Sequence, residues 1–217
     1  MKVRDVMSYN VVTLPSNASI AEAKRIMTAH NVKRVPVVDK GKLVGIITDR
    51  SIEHVSPSKA TSLSVWELSY LLEKTPIRDI MKKDVVTVSP DMDSEEAVAI
   101  AQQHNVGSAV VMDDGNVVGI LTTTDFFYKI INPLLGIGVP GTRIEVTGAL
   151  IKGKGMESMH ELLDVVQKLG YRVNTLHVEG TPDSPARDVC FHVMEEDVDK
   201  LVKGFEEKGF KVRIRNR

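Results

Sequence analysis

One phrase is written twice in this chain: GIITDRS at residues 45–51 returns as GILTTTD at 119–125, so Gly119 follows Gly45 by 74 positions. The same offset aligns Asp5 and Met7 with Asp79 and Met81, Val11-Val12-Thr13 with Val85-Val86-Thr87, the triplet HNV at 30–32 with HNV at 104–106, Val37 with Val111, Asp39 with Asp113 and Gly41 with Gly115. A duplicated unit of roughly 50 residues constrains the fold more than any local signal, because both copies must build the same structure. The last polar group of the phrase changes between copies, from Ser51 to Asp125.

Each copy has a readable local plan. Ser19-x-x-Glu22 and Asp93-x-x-Glu96 have the form of capping boxes, and Ile20, Ala23, Ile26 and Met27, like Ala97, Ile100 and Ala101, recur at helical spacing. Asn31 and Asn105 suit the left-handed residue that ends a helix. VPVVD-K-G-KLVGIIT reads as two strands about a tight turn with Gly41 at positive φ, and Asp114-Gly115 is the stronger turn signal in the second copy. The continuous aliphatics of VPVV, SAVVM, VGII and VGIL suggest strands covered on both faces. The expected order in each copy is strand, helix, strand, strand, helix.

The repeats are expected at 1–58 and 77–131, joined by a connecting helical segment at 59–76 that contains Pro57 at its approach and Ser64-x-x-Glu67 opening a helix through Trp66, Leu68, Leu71 and Leu72. Trp66 is expected to be buried, packing the copies together. Past residue 131 the pattern changes. INPLLGIGVPGT is rich in Gly and Pro and reads as a linker over 132–142. In 143–217, RIEVTGAL is a strand, Ser158-x-x-Glu161 caps a helix ending at Gly170, YRVNTLHVE and PARDVCFHV are strands about a turn at TPDSP, Val198 to Phe205 mark a helix stopped at Gly209, and FKVRIR is the last strand. The order βαββαβ is the ferredoxin-like split βαβ arrangement, so the class is α+β.

Composition bears on what such a chain does mainly by exclusion. A formal net charge of −1 gives no field directed at nucleic acid or an anionic membrane. The single Cys190 excludes an internal disulfide framework and a Cys-rich zinc site. MKVRDVMSYN has no apolar stretch of a signal peptide, and no run reaches the 18 or so apolar residues of a membrane helix. A cytoplasmic protein is the expectation. His30 and His104 fall at helix C-termini, where a partly protonated imidazole is favourable, and His160, His177 and His192 are scattered, so no metal is expected. The alternating basic residues of KVRIRNR suit a solvated edge strand better than a nucleic-acid stripe.

The duplicated unit, with HNV-x-x-V-P-V-V-D and G-h-h-T-x-x-D (h, hydrophobic), resembles a pair of CBS domains, and the βαββαβ tail resembles an ACT domain. Together with the connector TSLSVWELSYLLEKTPIRDIMKKDVVTV, the chain resembles the acetoin-utilization-type CBS–ACT proteins. The resemblance implies a non-catalytic regulator: two repeats packed through their sheets, with two clefts holding AMP, ADP, ATP or S-adenosylmethionine, and an ACT-like domain that pairs into a homodimer or takes a second small ligand. In KGKG at 152–155, Gly155 corresponds to the glycine that ACT loops bring near a ligand, but Gly153 and Lys154 replace the usual acid and proline. Alternatives are a regulatory subunit acting mainly through a protein partner, and a nucleic-acid-binding regulator, which the near-zero net charge opposes. An enzyme has no supporting nucleophile, metal motif or P-loop.

The chemistry centres on the repeated phrase. A strand ending where a helix begins presents unpaired amides suited to phosphate. Thr122 adds a hydroxyl, and Asp125 is placed to accept from a ribose diol; both also suit a plain helix cap. In the first copy Thr48 is kept, but Ser51 carries no charge for a charge-assisted bond, while Arg50 is free for a phosphate or for solvent. In the family the adenine wall of each cleft comes from the other repeat. That assigns Val12, Val32 and Lys33 to the Asp125 cleft and Val86, Val106 and Gly107 to the Ser51 cleft.

Overall fold

The computed structural model describes residues 1–55, 64–151, 153–181 and 183–215. Pro57, Lys152, Pro182, Asn216 and Arg217 lie outside them, as does the expected boundary at 58/59. Two compact units divide the described chain, Met1–Phe126 and Phe127–Arg217.

In the first unit the opening copy runs through α1 (Val3–Val6), α2 (Ile20–Ala29), β1 (Arg34–Asp39), β2 (Lys42–Thr48) and α3 (Asp49–Val55). The connector forms α4 (Val65–Lys74). The second copy starts with a 3-10 turn at Ile77–Asp79 and continues through β3 (Thr87–Val88), α5 (Ser94–Gln103), β4 (Ser108–Asp113), β5 (Asn116–Thr122) and α6 (Thr123–Phe126). The two hairpins repeat each other in detail. Arg34 faces Thr48 and Asp39 faces Lys42, while Ser108 faces Thr122 and Asp113 faces Asn116, and each has its register shift at the same place, Val37/Val38 and Val111/Met112. Lys40-Gly41 and Asp114-Gly115 take positive φ at both turn positions, the backbone of the expected tight hairpin turn. Asn31 and Asn105 both sit at φ 51, the left-handed position foreseen for them.

The beginning of each copy crosses to the other. Val3 N–H donates to the Met92 carbonyl at 2.9 Å and Ser94 N–H to the Met1 carbonyl at 2.9 Å, while Ile77 N–H donates to the Ala18 carbonyl at 2.8 Å. Ser8 and Ile120 exchange backbone bonds of 2.9 and 3.1 Å, and Ile46 and Lys82 exchange bonds of 2.8 and 3.0 Å. This crossing explains the glycine that opens each repeated phrase. A Cβ on Gly45 would stand 2.6 Å from Met81 Sδ and 2.9 Å from the Lys82 carbonyl oxygen, and one on Gly119 would stand 3.1 Å from the Ser8 carbonyl oxygen. Only a hydrogen leaves room for the incoming backbone. Ile46, Val110 and Ile120 then form a buried cluster shared by the two hairpins.

Four expectations need correction. The opening strand read for each copy forms only in the second: in the first copy α2 is followed by β1, and before it Leu14 makes no more than an isolated bridge to Val37. Trp66 is 84% exposed rather than packed between the copies. Helix α4 buries its opposite side, with Leu72 against the core around α2, so Trp66 is turned outward. Asp93 makes no capping hydrogen bond to α5, because its carboxylate pairs with Lys2 Nζ at 3.0 Å instead. Ser158 lies inside its helix rather than at the cap: its N–H donates to the Lys154 carbonyl at 3.1 Å, which starts the helix at Gly155. Ser19 and Ser64 do cap as read, their hydroxyls accepting from Glu22 N–H at 3.1 Å and Glu67 N–H at 3.3 Å.

The second unit begins with a π-helical turn at Phe127–Ile131 and α7 (Asn132–Leu134), so the segment 132–142 runs within it. It continues as β6 (Thr142–Ile151), α8 (Gly155–Leu169), β7 (Val173–Glu179), β8 (Ala186–Val193), α9 (Asp199–Glu207) and β9 (Lys211–Arg215). The sheet order is β7-β8-β6-β9 with every neighbouring pair antiparallel, the ferredoxin-like order the βαββαβ reading calls for. Ile144, Val146, Val189, Phe191 and Val193 face the helices and pack on Leu162, Val166, Leu201 and Phe205. β9 is an edge strand, and its Arg213 and Arg215 reach Glu145 at 3.8 and 3.1 Å.

Candidate functional site

Each repeated phrase ends where a strand hands over to a short helix, and the polar side chains there close on one another. Thr48 Oγ1 accepts from Ser51 N–H at 3.0 Å and lies 2.7 Å from Ser51 Oγ. In the second copy Thr122 Oγ1 accepts from Asp125 N–H at 3.2 Å and donates to Asp125 Oδ2 at 2.6 Å. The first helical amides are engaged within the protein: Asp49 N–H donates to the Lys33 carbonyl at 2.9 Å and Thr123 N–H to the Gly107 carbonyl at 3.2 Å. At each junction the first and third helical amides, those of Asp49 and Ser51 and of Thr123 and Asp125, are thus already bonded within the protein.

Around the first junction the fold encloses a cavity of about 680 Å³. It gathers Thr48 and Ser51 from the first copy with Val86, Val106 and Gly107 from the second, five residues that the sequence placed in one cleft. Lys33, assigned to the other cleft, lines this one. What the sequence did not single out is the rest of the charge around this cavity. Arg34 and Lys82 join Lys33 and Arg50, opposed by Asp49, Glu53 and Asp84. Gly107 makes room for one of these cations, since a Cβ there would meet Arg34 Nη2 at 3.0 Å. Ile46, Val85 and Val86 add apolar surface to this mixed lining of four cations and three acids.

The second junction differs. Asp125 is 7% exposed and its carboxylate accepts from Thr122 N–H at 3.0 Å, from Thr122 Oγ1, and from Ser8 Oγ at 2.7 Å. Ser8 stands where the repeat places Lys82 in the first cleft. Val12 is half-buried and Val32 is 37% exposed; neither lines the first cavity. The acid read as a ribose acceptor is thus held by at least three donors of its own chain.

In the second unit the face of the sheet turned away from its helices is polar. His177 and Cys190 are cross-strand partners, Glu179 follows on the same face, and their ligand atoms lie within 4.8 Å of one another. His177 and Glu179 are neighbours on one face of β7, and strand pairing brings Cys190 to them. Arg143 fills the space between them: its Nη2 pairs with Glu179 Oε1 and donates to Cys190 Sγ at 3.4 Å, and its side chain is 5% exposed. A buried guanidinium already standing among the three groups supplies the positive charge that a metal would bring. Burial pushes the Cys190 thiol up to about 11. Burial also raises the Glu179 carboxyl, but bonds from Arg143 and His177 outweigh it and hold the group below the usual carboxylate range.

Comparison with known proteins locates the relationship in the first unit. The family model of the CBS domain matches residues 3–57 and 77–132. The chain is 32% identical over 123 residues to the CBS domain-containing protein YhcV of Bacillus subtilis, covering 57% of this chain and 81% of that one. A solved structure of a protein assigned to acetoin utilization (AcuB) from Vibrio cholerae is 31% identical, covers 61% of this chain and 91% of that chain, and superposes with a TM-score of 0.51. The CBS domain pair of protein MJ0100, solved with 5′-methylthioadenosine and S-adenosyl-L-methionine, is 33% identical over 58% of this chain and 92% of that one, with a TM-score of 0.48. The match spans 22% and 23% of the length of two further curated relatives. Among the described residues no helix is long and apolar enough to cross a membrane.

Proposed function

We propose that this chain, which belongs to the CBS domain family, is a non-catalytic regulator that binds an adenine nucleotide in the cleft formed by its two repeats. CBS pairs typically take adenosine-containing ligands. The observation that carries the reading here is the cavity itself: about 680 Å³, lined by the apolar Ile46, Val85 and Val86, by Thr48 and Ser51, and by Lys33, Arg34, Arg50 and Lys82 together with Asp49, Glu53 and Asp84. Lys33, Arg34, Arg50 and Lys82 would meet the phosphates of AMP, ADP or ATP, while Asp49, Glu53 and Asp84 would suit the cationic sulfonium of S-adenosylmethionine. Thr122, Asp125, Val12 and Val32 would form the second cleft, where a ribose must compete with Ser8 and Thr122 for the carboxylate.

The second unit reads as an ACT-like domain on its strand order and helix faces, with a role in assembly or in binding a further small ligand. The proposed limits are 1–58 and 77–131 for the repeats, 59–76 for the connector, 132–142 for a linker and 143–217 for the tail. Titration calorimetry with AMP, ATP and S-adenosylmethionine, set against duplex DNA, tests the function. Saturable binding of a nucleotide that weakens in Thr48→Val supports it; binding of DNA alone, or of none of these compounds, refutes it.

A further inference from the structure

Helix α4 has two faces of different character. One packs inward, with Leu72 on the core around α2 and Glu73 Oε1 3.7 Å from Arg25 Nη1. The other carries Trp66 at 84% exposure, Tyr70 at 64% and Leu71 at 46%, which together with Glu67 line an open surface hollow of about 420 Å³. Grouped exposure of large side chains of this kind marks a contact surface, whereas scattered single ones do not. The helix presents them rigidly. Ser64 and Glu67 form a reciprocal capping box, with Ser64 N–H and Oγ both bonded to Glu67 Oε2 at 2.8 Å.

We propose that this face docks against the same face of a second copy of the chain, the two α4 helices running antiparallel about a two-fold axis between Tyr70 and Leu71. The argument is the charge pattern on the stripe. Glu67, the pair Tyr70 and Leu71, and Lys74 follow one another at the three-, four- and seven-residue spacing of a single helix face. Turning that stripe end for end maps Glu67 onto Lys74 and Tyr70 onto Leu71. An antiparallel pair therefore meets opposite charges at both ends and buries its aromatic centre, whereas a parallel pair would set Glu67 on Glu67 and Lys74 on Lys74. A face that complements itself under reversal is what an isologous contact requires, and an unrelated partner would not need it. Glu67 Oε2 is taken by the cap, which leaves Oε1 for the partner's lysine. In the single chain Lys74 Nζ rests 5.8 Å from the centre of the Tyr70 ring, already on this stripe. One short helix from each copy makes a contact at the small end of specific interfaces, so association belongs in the micromolar range.

Trp66 is the one tryptophan of the chain, so its emission reports this face alone. The test uses the whole chain in sedimentation velocity and tryptophan fluorescence over about 1–100 µM. The wild type should pass from monomer toward dimer as its emission moves to shorter wavelength. Lys74→Glu should weaken association at least about tenfold, by setting like charges together at both ends, whereas Lys74→Arg, which keeps the charge, should leave it within about twofold. Both variants leave the Ser64–Glu67 cap in place, and circular dichroism checks that they keep their helix. A monomer at 100 µM, a dimer whose Trp66 emission does not depend on concentration, or an association indifferent to charge reversal at Lys74 would each overturn the proposal. The last outcome would place any dimer contact elsewhere, including in the second unit.

Discussion

Ser8 Oγ donates to Asp125 Oδ1 at 2.7 Å, joining residues 117 positions apart. The bond ties the opening segment of one copy to the last helix of the other. With Thr122 N–H and Oγ1 it uses at least three of the roughly four acceptor positions of a carboxylate. Ser8→Ala should lower stability by about 1–2 kcal/mol in urea denaturation, and Asp125→Ala by more, because it strands both Ser8 and the Thr122 amide. An unchanged midpoint for Asp125→Ala would show that these bonds contribute nothing.

Neither glycine that opens the repeated phrase should be freely replaceable. Gly45→Ala forces a methyl against the Met81 sulfur at 2.6 Å and the Lys82 carbonyl oxygen at 2.9 Å, a backbone atom held by its own bonds to Ile46, whereas Gly119→Ala meets the Ser8 carbonyl oxygen at 3.1 Å and, closer still, the sulfur of the buried Met7. A loss of about 1–3 kcal/mol is expected for each, the backbone clash making Gly45→Ala the larger where Met7 can turn aside, by thermal or urea unfolding. No loss for either variant would contradict the close approach of the opening segments at these glycines.

If phosphates meet the cations of the first cleft, Arg50→Ala and Lys82→Ala should each weaken ATP roughly three- to tenfold while leaving adenosine unchanged. Both side chains are exposed, so the loss should shrink as salt is raised. Calorimetry at two salt concentrations separates this from a general disturbance, which would weaken adenosine equally.

The Arg143–Glu179 pair predicts a pH dependence of definite sign. A carboxyl held below its ordinary value contributes stability above the unfolded-state pKa, here near the reference 4.5, and loses it as pH falls through the folded value. Stability of the chain should therefore decline on acidification below about pH 5, and Glu179→Gln should flatten that part of the profile. Identical slopes for the two proteins would rule out the pair as a contributor.

Cys190 should be inert at ordinary pH. It is fully buried, and its thiol lies near 11, so little thiolate exists at pH 8. An aromatic disulfide reagent should react slowly with native protein and at once in denaturant. Rapid reaction of the folded chain would mean that the polar face of the second sheet opens readily.

Much of the fold was legible because it rests on local periodicity. Two short aliphatic runs about Lys40-Gly41 and Asp114-Gly115 specify a hairpin, and Asn31 and Asn105 specify how the preceding helix ends; all four features stand where the spacing put them. Thr48, Ser51, Val86, Val106 and Gly107 were gathered in advance by the repeat and by family resemblance. Arg34 and Lys82 escaped because a charge on a strand end or loop looks like solvated surface until a second segment is laid beside it. Asp93 misled for a related reason: its capping pattern was sound, but Lys2, distant in sequence, took the carboxylate.

By itself the sequence determined that one unit is built twice, that each copy carries the same hairpin in the same register, and that the tail runs βαββαβ. These follow from apolar spacing, turn residues and repetition, which act over a few positions at a time. Tertiary structure alone decided which way Trp66 faces, that Ser8 reaches Asp125, and that Arg143 stands among His177, Glu179 and Cys190. Those outcomes depend on which of several competing groups, far apart in the chain, the packed fold brings within reach of one another, and no local pattern encodes that competition.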